Sequence, residues 1–162
     1  MIQTLNRIFE LDAFKELNPE EIDWLQEKSK LKSFEKGEFI FSPGNPSASV
    51  LFVVEGRVKL GAFNKDGKEM IKHIFFQNEL FGIMAISNQK LRANYSKAMD
   101  DYNEVLEIDV YDMKKLMQKN ASFSLGISKI MGDRLVQFQE RIESLMFKDT
   151  STRVIDLLKE FA

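Results

Sequence analysis

Between Phe34 and Phe63 the chain reads FEKGEFIFSPGNPSASVLFVVEGRVKLGAF, three short apolar runs cut apart by Gly37, Gly44 and Gly56. The runs are Phe39 to Phe41, Val50 to Val54 and Val58 to Phe63, and Pro43 and Pro46 share one of the loops. Glycine supplies the backbone angles that sharp reversals need, while β-branched and aromatic side chains suit a pleated, half-buried surface. The pattern predicts a small antiparallel β-structure with an interior able to hold a ligand. It offers neither a nucleophile–base pair nor a metal cluster.

Further along, Asn64-Lys65-Asp66-Gly67 is a hairpin signal of the Asp-Gly type, with Glu69 to Phe76 as the returning strand. A short helix follows Gly82, and strands are expected at Asn94 to Met99 and Glu104 to Asp109. On the N-terminal side, Thr4 to Leu17 has a helical pattern. Asn18-Pro19-Glu20-Glu21 then reads as a helix start: asparagine caps, proline fits the first position and acidic residues favour the positive end. Ile22, Trp24, Leu25 and Leu31 are its candidate buried side.

From Tyr111 the apolar period changes from two to 3.6, so helix takes over. Phe123, Ile127 and Ile130 form an apolar side facing back toward the strands. Met131, Leu135, Phe138, Ile142 and Leu145 follow at spacings of four, three, four and three. That heptad seam predicts one long helix packed against a parallel copy of itself. Lys148-Asp149-Thr150 interrupts the helix, and Val154, Ile155, Leu157, Leu158 and Phe161 begin another amphipathic segment.

Composition narrows the function classes. With 44% hydrophobic and 30% charged residues over 162 positions, the chain has an ordinary globular balance and length enough for one core plus a long extra element. Zero cysteines exclude disulfides, thiolate metal sites and cysteine nucleophiles. The start lacks the basic flank and long apolar run of a signal peptide, and no stretch approaches a membrane span, so the expected location is the cytoplasm. A net charge of −2, from 23 basic and 25 acidic residues, does not concentrate the cations that nucleic-acid binding needs.

The KGEFIF, SPG and LFVVEGRVKL pieces, at this spacing, resemble the cyclic-nucleotide-binding β-roll of bacterial Crp/Fnr-type transcription regulators. The resemblance covers nearly the whole chain. It implies an α+β fold: N-terminal helices, an antiparallel β-roll (a double-stranded β-helix jelly roll) and a long C-terminal dimerisation helix. The implied organisation is helices and roll over 1–110, the dimerisation helix region over 111–147, and over 148–162 a hinge at Lys148, Asp149 and Thr150 with the first helix of a winged helix-turn-helix domain. DNA is then expected to be bound only through a C-terminal domain of which this chain holds the beginning.

The family's phosphate cassette, a glycine-led short helix and a loop ending in arginine, corresponds to Glu79 to Ile86 and Leu91 to Tyr95. Gly82 and Arg92 fall where backbone N–H groups and a guanidinium would meet a phosphate. The neighbours depart from the pattern. Ile83 stands where cAMP-binding members have a ribose-holding glutamate, and Ala93 where a hydroxyl commonly bonds the phosphate. Phe138 and Gln139 stand where a polar pair reads adenine. A buried ribose hydroxyl facing isoleucine would keep a desolvation cost of roughly 1–3 kcal/mol.

The expected ligand set is therefore Gly82, Ile83, Met84, Arg92, Ala93 and Phe138, with Ile86 adding apolar surface, for a small anion or an apolar molecule with an acidic end rather than cAMP. His73, the single histidine, reads as a sheet-face residue; alone it builds no haem or metal site. Asp100, Asp101 and Glu104 read as turn carboxylates around Tyr102-Asn103. Neither catalytic nor metal-ligating residues are assigned, and the chain is not expected to be an enzyme. The function expected is effector sensing and dimerisation within a Crp/Fnr-type regulator. The competing reading is a stand-alone ligand-binding or interaction module without a DNA partner.

Overall fold

The structure is a computed structural model that describes residues 14–147 and 158–159. Helix α1 (Pro19–Lys28) begins as its sequence dictates. Asn18 caps it in a reciprocal box with Glu21, whose backbone N–H donates to the Asn18 side chain at 2.9 Å. Phe14 and Leu17 lie in a turn before it, and the rest of the Thr4–Leu17 segment is outside the described residues. Leu31 does not belong to α1. The helix ends at Lys28, and Leu31 sits on β1 (Lys30–Glu35), a strand whose mixed charged sequence hid it from pattern reading.

Strands β2 (Phe39–Phe41), β3 (Ser49–Glu55), β4 (Val58–Phe63), β5 (Glu69–Phe75), β6 (Leu80–Phe81), β7 (Tyr95–Ala98) and β8 (Tyr102–Asp109) complete the roll. They form two four-stranded antiparallel sheets, ordered β1-β8-β3-β6 and β2-β7-β4-β5. β3 explains the unbroken apolar run of its sequence. Val50, Phe52 and Val54 face a core shared with Phe14, Leu25, Met113, Leu116, Phe123 and Ile127. Leu51 and Val53 face the opposite way, into an inter-sheet core with Phe41, Val58, Phe75 and Phe81. Both faces are covered, so strict alternation of apolar and polar residues is not needed.

The turns behave as their residues require. In the β4–β5 hairpin the Asn64 side chain accepts from the N–H groups of Asp66 and Lys68, and Gly67 takes φ +77°. In the β7–β8 turn the acidic group is structural in part. Asp100 receives a two-pronged hydrogen bond from Arg57, which holds its carboxyl below the usual range. Asn103, fully buried, donates to the Asp100 carbonyl at 2.6 Å and accepts from Arg57 N–H at 3.2 Å.

The helical region after Tyr111 is divided. α2 (Val110–Lys119) starts on an Asp109 cap, and α3 (Ala121–Phe147) follows after a break at Asn120. Asn120 makes that break: its side-chain oxygen accepts from Phe123 N–H at 2.9 Å, and its amide donates to Glu16 O and to the Glu21 carboxylate. The junction thus ties both helices to α1. At about 1.5 Å per residue α3 is roughly 40 Å long. The hinge Lys148, Asp149 and Thr150 lies outside the described residues; beyond it, Leu158 and Lys159 are helical. Among the described residues no helix is long and apolar enough to cross a membrane.

Candidate functional site: a cavity between the roll and the long helix

The roll and α3 enclose a cavity of about 440 Å³. Its sheet wall is Phe41, Leu60, His73 and Phe75 from β2, β4 and β5. The cassette contributes Gly82, Ile83 and Met84, and the loop before β7 contributes Gln89, Arg92, Ala93 and Asn94. From α3 come Met131, Arg134, Leu135, Phe138 and Arg141, among others. All six expected ligand residues therefore line one space. Ile86 does not; it packs against the helix-side core, because the short helix after Gly82 is a single 3-10 turn, Ile83–Ser87, that directs it inward.

Gly82 sits at φ +70°, and a Cβ there would lie 2.8 Å from Leu51 Cδ1 and 2.9 Å from Arg92 Nη1. Glycine is required both by the backbone angle and by the close approach of the guanidinium. Arg92 is not a surface residue, and among the described residues it forms no ion pair. It is 6% exposed, donates from Nη1 to Gly82 O at 3.0 Å and from Nη2 to Ser49 O, and places its guanidinium 4.4 Å from the Phe41 ring centre. Burial depresses its pKa, with Glu107 opposing. The Nε–H is buried with no partner among the described residues. Its backbone is pinned by the proline loop: Arg92 N–H donates to Asn45 O, and Gly44 N–H to Arg92 O, both at 2.8 Å.

Two further arginines were not singled out by sequence reasoning. Arg134 donates to Leu80 O and stacks 5.0 Å from the Phe75 ring centre, and Arg141 donates to Lys72 O at 2.8 Å. They are seven apart on α3 and so share a face; an i, i+7 search for basic residues beside the apolar seam would have found them. His73 is half-buried in the cavity wall. Burial, and then Arg134 and Arg141, push its pKa down, while Glu79 opposes. The apolar seam divides: Met131, Leu135 and Phe138 line the cavity, with Leu135 and Phe138 still exposed in part, whereas Ile142 and Leu145 are exposed and do not reach it. Among the described residues no group of His, Cys, Asp and Glu is arranged to hold a metal ion.

The profile of the Cyclic nucleotide-binding domain family matches residues 31–120, more than half of the chain. The chain belongs to that family. Its similar relatives are Crp/Fnr-family regulators. The Global nitrogen regulator of Nostoc sp. is 25% identical over 130 residues, covering 79% of this chain and 58% of the relative. The CRP-like cAMP-activated global transcriptional regulator of Mycobacterium tuberculosis is 22% identical over 149 residues, 92% of this chain and 66% of the relative. The domain thus spans well under two thirds of the nitrogen regulator's length.

Among solved structures, the Thermus thermophilus Catabolite Activator Protein matches with a TM-score of 0.70 at 24% identity, over 84% of this chain and 63% of that one. The sensor domain of the transcriptional regulator DNR from Pseudomonas aeruginosa matches with a TM-score of 0.71 at 17% identity, over 81% of this chain and 92% of that one. These likenesses establish the β-roll with its long helix as the fold of the domain.

Proposed function

We propose that this cyclic nucleotide-binding-type domain is the effector-sensing and dimerisation part of a Crp/Fnr-type transcription regulator that answers to an anionic, largely apolar small molecule rather than to cAMP in the usual way. One observation carries this reading. The cavity gathers Arg92, Arg134 and Arg141 around apolar walls, with no carboxylate lining it among the described residues. Unpaired cations beside apolar surface favour a ligand that brings its own negative charge. Ile83 and Ala93 offer a ribose or phosphate no side-chain hydrogen bond, which removes what a nucleotide would need most.

In this reading Gly82, Ile83, Met84, Arg92, Ala93 and Phe138 form the effector site. The exposed parts of α3, including Leu135, Ile142 and Leu145, pack on a second copy, while Met131 and Phe138 link that seam to the cavity. Occupancy would bias the packing of the paired helices and, through the hinge at Lys148 to Thr150, the placement of a DNA-binding domain over two operator half-sites. Such a switch needs unequal effector affinity in the two arrangements.

Thermal unfolding with cAMP, cGMP and a set of aryl and alkyl carboxylates tests the proposal. A ligand at 100 times its Kd stabilises the native state by about 2.7 kcal/mol. Stabilisation by carboxylates and none by the cyclic nucleotides is expected. No shift with any compound would remove the sensing role, and a shift with cAMP alone would remove the effector class.

A further inference from the structure

The sheet that walls the cavity has a second face, and that face carries an aromatic cluster of its own. Side chains alternate across a strand, so with Leu60 turned to the cavity its neighbours Lys59 and Gly61 point outward, as does Phe63. On β7, Tyr95 pairs with Gly61 and Lys97 with Lys59. Tyr95 is fully buried yet belongs to neither apolar core. Phe63 stacks on its ring at 4.9 Å between centroids, and Phe39 meets it edge-on at 5.8 Å. The phenol crosses the backbone of Gly61, where a Cβ would overlap its oxygen. Its hydroxyl donates to Glu69, which also accepts from Lys59 Nζ at 2.6 Å.

Tyr95 is thus kept dry by two rings that are themselves half in water: Phe39 is 47% and Phe63 52% exposed. Ile71, registered opposite Gly61, is 47% exposed as well. Rings already fixed against a buried tyrosine lose little further freedom when something covers them. Charge is spread unevenly around them. Glu69 is engaged by Lys59, and the Glu38 carboxylate is turned back to accept from Glu35 N–H at 2.6 Å. Lys97 lies 4.7 Å from the Phe39 ring centre, acts on Glu69 only through space, and forms no ion pair among the described residues.

We propose that this outer face docks a short segment of a partner protein that carries an acidic side chain beside an apolar one. The apolar side chain lies against Phe39 and Phe63, and the carboxylate meets Lys97. The face is independent of the sensing role proposed above, since the cavity lies on the other side of the sheet. Three exposed apolar side chains offer far less than the roughly 1,000 Å² of a stable interface, so the contact is weak and reversible.

An array of synthetic heptapeptides tests the assignment, each acidic member set beside its Asn or Gln counterpart and probed with the full chain. Fluorescence anisotropy then gives affinities for the pair that retains most protein. The acidic peptide should bind roughly 10-fold more tightly than its amide counterpart. Phe63→Ser should weaken both roughly 10-fold. Lys97→Gln should bring the two within about twofold of each other, a change that lost packing alone would not produce. Lys97→Gln leaves the aromatic cluster intact, so it keeps the test decisive should Phe63→Ser fail to fold. Equal retention of acidic and amide peptides, or a preference for acid that survives Lys97→Gln, would overturn the proposal. Self-association that Phe63→Ser abolishes would also overturn it, by giving the face to a second copy of the chain.

Discussion

The two halves of α3 are one continuous helix in opposite situations. In the first half Phe123 and Ile127 are 0% exposed, set against Phe14, Phe52 and the α1 and α2 side chains. In the second half Leu135 is 60%, Leu145 61% and Met146 71% exposed. Apolar periodicity runs through both. A helix face is apolar because something covers it, but its sequence does not say whether the cover is the same subunit or another. The first half is anchored from within, and the second keeps its apolar residues exposed, the face that the proposed second copy would cover.

Phe123→Ala attacks the anchored half and should cost about 3–5 kcal/mol of unfolding free energy, read by urea denaturation. A loss below about 1 kcal/mol would show that this half is not anchored by its core contacts. Ile142→Glu combined with Leu145→Glu attacks the other half. It should halve the mass seen by light scattering while leaving the circular dichroism of the roll unchanged; an undiminished mass would take these residues out of the proposed interface.

Asn120→Ala strikes the junction where α2 gives way to α3. Loss of its cap on Phe123 N–H and of its bonds to Glu16 and Glu21 should cost about 1–2 kcal/mol. A variant as stable as the parent would mean that packing alone sets the break. His73 provides the smallest effect. Burial and the helix arginines hold its folded pKa below 6.5, so the unfolded chain takes up the proton first as pH falls. Its stabilising contribution is present above pH 6.5 and erodes below it. His73→Gln should flatten that decline by less than about 1 kcal/mol between pH 6.5 and 5. An unchanged stability–pH curve would show that burial and the helix arginines do not disfavour the charged imidazole in the folded chain.

Much of the roll was legible residue by residue. Gly37, Gly44, Gly56 and Gly67 all adopt positive φ, and the runs between them are strands β2 to β4. Asn18-Pro19 and its glutamates gave a correct helix start because capping is local chemistry. β1 and the two-residue β6 were not legible. β1 carries Lys30, Lys32 and Glu35, and it is a strand because β8 offers it a hydrogen-bonding edge. The cassette residues could be placed through the family resemblance, whereas Arg134 and Arg141 stand out only as a basic i, i+7 pair beside the apolar seam, a spacing that does not tell a cavity-facing arginine from a solvated one.

By itself the sequence determined what is decided within a few residues of the chain: the turns, the caps, the alternation of strands and the length of the apolar seam. Tertiary structure alone decided which of these meet. It buried Arg92 between two strand carbonyls, brought His73 of β5 near Arg134 and Arg141 of α3, and covered one half of the helix but not the other. The reason is physical: backbone angles and caps are set by neighbours in sequence, while burial, charge and accessibility belong to groups that folding brings together from distant parts of the chain.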